Sequence, residues 1–367
     1  MAHLILEGDG FIYKGFILAG ETSLAMSLID SGTGGFGLDF LVLNGTTSVS
    51  IGSAAGSALA GGYNVLHQLA EANNVLTTVT ISGFFTNSSE LFILGSPSGN
   101  SNTGDGVVTA TAEGVMSTKI ASSLTLIDAS ATSGGVEIYA GATNTSGAGA
   151  FVDGGSLNPN LTITYTGLTI KGGSGNDIIE NDAKNGIVTD RNGTDTVILA
   201  GAGAKATLGH GAFDVVFVGH SDLGTNEAAG NALGDSVTFG AAATASLVVG
   251  TGAEAGSTAS TTSIGLTKVL DAAGGMLINF GAITHSSNIV DETAAVATAT
   301  TLTTAENGAV DAMAAPGVAY FNYHGNEYFV ATNATETAVS SSDAIVKLVG
   351  VIDLHATNSS GAVTLHV

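Results

Sequence analysis

Short runs of alternating apolar and polar residues dominate the first part of the chain. Residues 1–57 contain several of them, among them LILEG at residues 4–8 and GLDFLVLNG at residues 37–45, and Gly, Asp or Asn bounds each run. A period of two is typical of a half-buried β-strand, and Gly, Asp and Asn are common turn residues. The pattern therefore predicts a strand-rich N-terminal region.

The alternation becomes more regular between residues 75 and 167, where threonine and β-branched residues carry it. Residues 124–141 (LTLIDASATSGGVEIYAG) read as one strand, a polar corner and a second strand, and residues 75–95 have a similar length and pattern. A chain that repeats strand, corner and strand favours stacked coils over a closed sandwich. We therefore predict an all-β fold, a β-solenoid in which a right-handed β-helix runs into a calcium β-roll.

A few short helices and a C-terminal β-hairpin cap complete the predicted fold. Residues 64–73 (NVLHQLAEAN) place three apolar residues on one helical face, and residues 298–315 read as a helix that ends at Pro316. The phrases AYFNYH and EYFVAT alternate aromatic and polar residues. With a turn at Gly325 and Asn326 between them, they predict an antiparallel hairpin.

Glycine and aspartate recur at fixed intervals within residues 171–217. Residues 172–180 read GGSGNDIIE, which matches the nonapeptide G-G-x-G-x-D-x-U-x, where U is apolar. Asp195 follows Asp177 by eighteen residues, and Asp214 follows Asp195 by nineteen. Because two nonapeptides form one coil of a β-roll, this spacing predicts that the aspartates stack on one side, coil above coil.

The residue types in this stretch favour calcium. Glycine admits positive φ, so the backbone turns tightly and directs its carbonyl oxygens inward, while aspartate adds the hard anionic oxygens that Ca²⁺ prefers. The later copies of the motif are degenerate, with Arg191 and Asn192 where a glycine pair is expected. We predict one or two Ca²⁺ ions; the alternative is a glycine-rich turn that binds nothing. The predicted metal-site residues are Gly172, Gly173, Gly175, Asp177, Gly193, Asp195, Gly211 and Asp214.

Charge narrows the classes of partner. The 367 residues include 31 acidic residues against 8 Lys and Arg, which gives a formal net charge of −23. Nucleic acid and anionic membrane surfaces both call for basic residues, so neither is an expected partner. Acidity suits divalent cations, which would neutralise repulsion between packed copies, although it also simply keeps a protein soluble. No apolar stretch is long enough to predict a transmembrane segment.

Motifs of the common hydrolases are missing from the sequence. The eight histidines are dispersed, and none belongs to the H-E-x-x-H motif of zinc proteases. Residues 219–223 (GHSDL) approach a nucleophile elbow but lack its second glycine. The sequence does not exclude a glycosidase, because its two catalytic carboxylates are brought together by the fold and have no fixed spacing in the sequence. With no cysteine there is no thiolate chemistry, and we predict that the protein is not an enzyme.

The order of these parts resembles the RTX-type surface-layer and surface proteins of Gram-negative bacteria, which leave the cell by type I secretion. The resemblance rests on GGSGND at residues 172–177, on strands of the LTLIDAS type and on the C-terminal block. In that block FNYHGNEYFVATN (321–333) precedes DAIVKLVGVIDL (343–354), similar to the terminal hairpin of the family. The resemblance covers residues 160–367 well. Over residues 75–160 it is limited to the general pattern of the strands.

The resemblance implies a secreted protein of the cell surface, exported through an uncleaved C-terminal signal, which agrees with an N-terminus that lacks signal-peptide features. We expect a structural extracellular protein that self-assembles into a calcium-dependent surface layer (S-layer) or filament, with itself and cell-surface polysaccharide as partners. The alternative is a calcium-stabilised adhesin or surface ligand-binding module, and a secreted hydrolase with an RTX tail ranks third. The aromatic content of 6% and the lack of tryptophan favour the lattice over an adhesin that stacks sugars on exposed rings.

Composition and motifs divide the chain into four predicted regions. The predicted domains are an N-terminal β-rich assembly region (1–74), β-helix-like rungs (75–167), an RTX-like calcium β-roll (168–240) and a C-terminal β-rich cap with the type I secretion signal (241–367).

Overall fold

A computed structural model gives the architecture of the chain. It describes residues 1–8, 12–13, 15–30, 35–53, 63–71, 73, 75–83, 91–94, 119–121, 123–140, 151–152, 162–164, 166–181, 183–199, 204–208, 210–211, 214–218, 236–238, 245–249, 267–269, 277–279, 289–332, 334–339, 343–350, 355–359 and 362–366. The chain divides into two compact units, Met1–Val197 and Ile198–Val367. Strands dominate both units and most of them pair in parallel, so the predicted all-β class is confirmed.

The first unit consists of strands joined by short corners. Its strands are β1 (Ala2–Gly8), β2 (Ile12–Tyr13), β3 (Phe16–Ala19), β4 (Ser23–Asp30), β5 (Gly35–Asn44), β6 (Ser48–Ser53), β7 (Tyr63–Glu71), β8 (Thr78–Ser82), β9 (Leu91–Leu94), β10 (Lys119–Ala121), β11 (Leu126–Ala131), β12 (Gly135–Ala140), β13 (Phe151–Val152), β14 (Thr162–Thr164), β15 (Thr169–Lys171), β16 (Ile178–Asn181), β17 (Ile187–Thr189) and β18 (Asn192–Gly193), and β19 (Thr196–Leu199) begins at its end.

Two parallel sheets run through this unit. Sheet A has the order β1-β4-β6-β8-β11-β15-β17, and sheet B has the order β2-β5-β7-β9-β12-β16-β19. The strands β3 and β13 pair with β5 and β7, and β10 pairs with β14. The chain passes repeatedly from sheet A through a corner into sheet B and back. We call one such strand, corner and strand a rung, and each rung pairs in parallel with its neighbours.

An apolar column fixes the register of sheet A. The residues of this column align across consecutive strands and are at most 1% exposed: Leu24, Val49, Val79, Ile127, Ile170 and Val188. Burying each such side chain contributes about 1.5–3 kcal/mol. A slip of one residue would turn the column out to solvent, so the alternation seen in the sequence sets both the strands and their pairing.

The helix predicted for residues 64–73 is wrong, because most of them form strand β7. This strand pairs in parallel with β5 on one edge and with β9 on the other. Val65, Leu66 and Leu69 are all fully buried, and the three-residue spacing of the two leucines imitates one face of a helix. Pairing on both edges outweighs this local pattern, as tertiary contacts commonly do for strands.

A buried carboxylate holds the corner that follows β7. Glu71 is the last residue of β7 and is fully buried. Its Oε1 accepts a hydrogen bond from the N–H of Gly45, which lies in the corner one rung earlier. Its Oε2 accepts from the N–H groups of Asn73, at 3.0 Å, and Val75, at 2.7 Å. One side chain therefore joins two consecutive corners.

The second unit combines parallel strands with an antiparallel C-terminal part. Its elements are β20 (Lys205–Thr207), β21 (His210–Gly211), β22 (Asp214–Val218), β23 (Ser236–Thr238), β24 (Ala245–Val249), β25 (Thr267–Val269), β26 (Leu277–Asn279), β27 (Ile289–Asp291), α1 (Leu302–Ala312), β28 (Gly317–Tyr323), β29 (Asn326–Thr332), β30 (Ala344–Leu348), β31 (His355–Ser359) and β32 (Ala362–His366). Strands β20, β23 and β25 pair in parallel, whereas β28, β29 and β30 are antiparallel. No helix in the described part of the chain is long and apolar enough to cross a membrane.

The C-terminal helix and hairpin follow the sequence closely. Helix α1 lies inside the segment predicted for it, residues 298–315, and begins where Thr301 Oγ1 accepts a hydrogen bond from the Thr304 N–H at 3.1 Å. The predicted hairpin is confirmed as β28 and β29. Its turn lies one residue earlier than expected, at His324 and Gly325, whose φ angles of 49° and 76° suit a two-residue type I′ turn.

Candidate metal centre

The aspartates of the nonapeptide motif lie in two consecutive corners of the first unit. Residues 172–177 lead from β15 to β16, and residues 190–195 lead from β17 to β19 one rung later. The N–H of Thr196 donates to the carbonyl of Asp177 at 2.8 Å, and the N–H of Asp177 donates to Asp195 Oδ1 at 3.0 Å. An offset of eighteen residues therefore superposes one corner on the next.

Three aspartates meet between these corners. One carboxylate oxygen from each of Asp177, Asp190 and Asp195 lies within 4.8 Å of the other two. The three residues are 1%, 7% and 1% exposed. Calcium binds oxygen ligands at about 2.3–2.6 Å, so two oxygens on opposite sides of one ion are roughly 5 Å apart. The spacing and the donor type both fit a single Ca²⁺ ion.

Hydrogen bonds satisfy much of the cluster but leave Asp190 Oδ2 without a donor among the described residues. Asp177 accepts from the N–H of Val136 at 2.8 Å and from the N–H of Gly173 at 2.6 Å. Asp190 Oδ1 accepts from the N–H of Arg191 at 2.8 Å. Asp190 Oδ2 is buried and accepts no hydrogen bond from the described residues. Buried carboxylate oxygens need a partner, and a cation would supply one here.

The pKa values of the clustered aspartates also favour a bound cation. Burial raises the pKa of Asp190 well above its ordinary value, and the negative charges of Asp177 and Asp195 raise it further. Burial also raises the pKa of Asp177, and it outweighs the hydrogen bonds from the backbone that lower it. Carboxylates that are buried together resist ionisation, and a bound cation reverses this preference.

Two of the predicted glycines make room for the carboxylates. A Cβ at Gly172 would lie 2.5 Å from Asp190 Oδ1 and 2.7 Å from Asp177 Oδ2, so any side chain there would come between the two aspartates. A Cβ at Gly173 would lie 2.2 Å from Thr132 Oγ1 in the preceding corner. The glycine pair therefore lets three corners approach one another closely.

The other two glycines of these corners are also required by close contacts. Gly193 has a φ of 139°, and a Cβ there would lie 2.0 Å from the carbonyl oxygen of Gly175 and 2.6 Å from Asp195 Oδ1. A Cβ at Gly175 would lie 2.4 Å from the carbonyl carbon of Gly134. Successive backbones thus pack at a distance that only glycine allows.

For Gly211 and Asp214, the other two predicted metal-site residues, the structure describes only the backbone. Their backbones belong to β21 and β22 of the second unit, where Asp214 pairs with Ala245. The side chain of Asp214 falls outside the described residues. The predicted third level of the aspartate stack therefore stays a prediction, while Asp177 and Asp195 are brought together with the four glycines around them.

The sequence prediction omitted Asp190. The offset of eighteen residues aligns Asp190 and Arg191 with the glycine pair at Gly172 and Gly173. The expected positions of that pair, Arg191 and Asn192, were therefore one residue too late. Aspartate stands where the motif has its first glycine, and the missing Cβ at Gly172 in the preceding rung leaves space for its carboxylate.

No protein-family model matches the chain, and no curated protein matches it either. The inferences about function therefore rest on the geometry of the aspartate cluster and on the sequence motifs.

Proposed function

We propose that Asp177, Asp190 and Asp195 bind one Ca²⁺ ion, which fastens consecutive corners of a structural extracellular protein. The protein assembles with copies of itself into a calcium-dependent surface layer or filament. One observation carries the proposal: three buried carboxylates from two consecutive corners approach within 4.8 Å of one another. Such a cluster costs folding free energy unless a cation neutralises it.

The donor set favours calcium over other divalent ions. All three ligand candidates are carboxylates, which are hard oxygen donors. Zinc usually takes cysteine or histidine ligands, and the chain contains no cysteine. Magnesium demands near-octahedral geometry and keeps several of its waters, which a buried cluster accommodates poorly.

The solenoid is part of the proposal. The repeated passage of the chain between sheets A and B, parallel pairing at each step and the apolar column of sheet A support stacked coils. Parallel crossover connections are right-handed in nearly all proteins, which favours a right-handed β-helix that continues into the β-roll. The proposed solenoid contains the four predicted regions in chain order: the assembly region (1–74), the β-helix-like rungs (75–167), the calcium β-roll (168–240) and the C-terminal cap (241–367).

Acidity gives the ion a further role between molecules. Copies with a formal charge of −23 repel one another, and bound or bridging Ca²⁺ reduces that repulsion. The location at the cell surface, export through a C-terminal signal and contact with surface polysaccharide follow from the resemblance to RTX-type proteins. A calcium-stabilised adhesin is the competing function.

Calcium is expected to raise the melting temperature of the purified protein. A ligand that binds only the folded state adds about 2.7 kcal/mol at a concentration one hundred times its Kd. Differential scanning calorimetry in EGTA and in millimolar calcium measures the change, and magnesium at the same concentration is the control for ionic strength. Equal melting temperatures in all three buffers would remove the metal centre from the proposal.

Assembly is expected to begin when calcium is added to dilute monomer. Light scattering follows the increase in mass, and negative-stain microscopy distinguishes sheets from filaments. Excess EGTA is expected to return the sample to monomer, because removal of Ca²⁺ restores the electrostatic repulsion between the acidic copies. A protein that calcium stabilises but that stays monomeric at high concentration would favour the adhesin.

A further inference from the structure

Helix α1 covers the hairpin of the second unit with an apolar face. The helix lies against β28 and β29 and contributes to a buried cluster with the strands around it. The buried members of this cluster are Val296, Ala305, Ala309, Val310, Met313, Ala319, Phe321, Tyr328, Val330 and Ile345. Residues three and four apart on a helix share one face, so the helical members form one stripe.

Glu306 lies in the same buried face of the helix. It is 0% exposed, and neither of its carboxyl oxygens has a hydrogen-bond partner among the described residues. It neighbours Ala305 along the helix and is three and four residues before Ala309 and Val310, all of which are buried. An ionised carboxylate in such surroundings is strongly unfavourable, whereas a neutral carboxylic acid is tolerated.

Three titratable groups share the face of the sheet that carries Phe321 and the rest of the cluster with α1: Tyr323 of β28, Tyr328 of β29 and Lys347 of β30. Tyr320 and Glu327 belong to the same strands but alternate to the opposite face. Lys347 Nζ lies 5.5 Å from the centre of the Tyr328 ring, and the Tyr323 ring lies 6.4 Å from the same ring. Burial is the cause that raises the pKa of Glu306, to about 8. Burial, then the charges of Glu306 and Tyr323, raise the pKa of Tyr328 to about 12.

Acidic residues also flank the helix in sequence and lie in better-solvated surroundings. Glu292 precedes the helix and is partly exposed, Glu336 follows it and is partly exposed, and Asp311 lies on the outer face of the helix. Burial, followed by the charge of Asp291, raises the pKa of Glu292. Glu306 differs from these acids because it is fully enclosed.

We propose that Glu306 makes the docking of α1 on the hairpin dependent on pH: the helix is docked while the carboxyl group is protonated and is released as it ionises. The folded environment favours the protonated form, so this contribution to docking is fully present below the ordinary glutamate pKa. It is lost as the pH rises through the raised value. The inference concerns the second unit and is independent of the calcium site.

Hydrogen exchange of the α1 amides tests this proposal on the full chain. Between about pH 5 and about pH 8 the protection factors of these amides are expected to fall about tenfold for each pH unit and to level off above that range. In Glu306→Gln, which keeps the shape and loses the proton equilibrium, protection is expected to be nearly independent of pH. Asp311→Asn makes the same chemical change at an exposed position of the helix and is expected to keep the wild-type slope.

A direct titration of the wild-type protein keeps the test independent of the variants. The ¹³C chemical shift of the Glu306 side-chain carboxyl group is expected to titrate well above the ordinary glutamate range. A midpoint near the ordinary value would overturn the proposal, as would a slope for the α1 amides that is equal in wild type and Glu306→Gln. A pH-dependent loss of protection shared equally by β28 and β29 would also overturn it, since the change would then not concern docking.

Discussion

The Asp190→Asn variant is expected to melt at a higher temperature than the wild-type protein in EGTA and at a lower temperature in millimolar calcium. In EGTA the difference is expected to be about 2–4 °C for each kcal/mol of repulsion removed. In calcium the variant lacks one anionic ligand and loses most of the stabilisation that the ion gives. Differential scanning calorimetry of both proteins in both buffers provides the four melting temperatures.

The reversal follows from the surroundings of Asp190. Its carboxylate is 7% exposed and lies with Asp177 and Asp195 in one cluster, and both neighbours raise its pKa. Each tenfold change in proton affinity between the unfolded and folded states corresponds to about 1.4 kcal/mol. Asparagine keeps the volume of the side chain and removes its charge. The substitution therefore stabilises the calcium-free protein and destabilises the calcium-bound protein.

The pH dependence is expected to reverse with calcium as well. Without calcium, the folded protein holds the protons of Asp177 and Asp190 more tightly than the unfolded chain does, because their pKa values are raised. The resulting contribution to stability is fully present below the ordinary aspartate pKa and is lost as the pH rises through the raised values. Calcium binds carboxylates only after they have lost their protons. From about pH 4 to about pH 8 the melting temperature is therefore expected to fall in EGTA and to rise in calcium.

Asp311→Asn is the matched control for this experiment. Its side chain is exposed on α1, so the substitution is expected to change stability by less than about 0.5 kcal/mol in either buffer. A variant Asp190→Asn that melts below wild type in EGTA and keeps the full calcium shift would contradict the assignment. Asp190 would then be a structural acid, and the metal centre would have to rest on Asp177 and Asp195 alone.

Alternation along the sequence predicts strands such as β8, β11 and β15 of sheet A because each of them buries one face. Leu24 and Val49 are adjacent members of one column although 25 residues separate them, and Val79 follows after another 30. Strand propensity is local, whereas the choice of partner depends on contacts far apart in sequence. The class of the fold is therefore readable from the pattern, and the order of strands within sheets A and B is not.

Spacing predicts part of the metal centre for a physical reason. An offset of eighteen residues brings Asp177 and Asp195 to equivalent corners, and the hydrogen bond between them follows from that equivalence. Asp190 escapes a search for the motif because it replaces a glycine of the motif. Its role becomes visible only when the same offset is applied to Gly172, whose missing side chain leaves the space that the carboxylate of Asp190 fills.

Glu71 shows where local sequence gives no indication of structure. It stands at the position in β7 that pairs with Leu43 in β5, and Leu43 is fully buried. An acid in register with a core leucine contradicts the alternation and, with Leu66 and Leu69, leads to a false helix. The carboxylate is tolerated inside because backbone N–H groups of two corners surround it, and those groups come together only in the folded chain.

Replacement of Glu71 by alanine is expected to lower the free energy of unfolding by at least about 3 kcal/mol. Three backbone N–H groups, those of Gly45, Asn73 and Val75, lose a charged acceptor, and hydrogen bonds to charged groups contribute about 1.5–3 kcal/mol each. The cost of burying the charge, which the substitution removes, offsets part of this sum. Urea denaturation at a fixed calcium concentration, followed by circular dichroism, measures the loss.

Two further variants separate the hydrogen bonds from the volume of the side chain. Glu71→Gln retains one acceptor oxygen but turns an amide NH₂ group towards N–H donors, so it is expected to recover less than half of the loss. Glu7→Ala removes an exposed acid from a strand and is expected to cost less than about 0.5 kcal/mol. Equal effects of Glu71→Ala and Glu7→Ala would mean that solvent satisfies the three N–H groups. Strand pairing alone would then hold the corner, and the hydrogen bonds of Glu71 to the two corners would not contribute to the stability of the first unit.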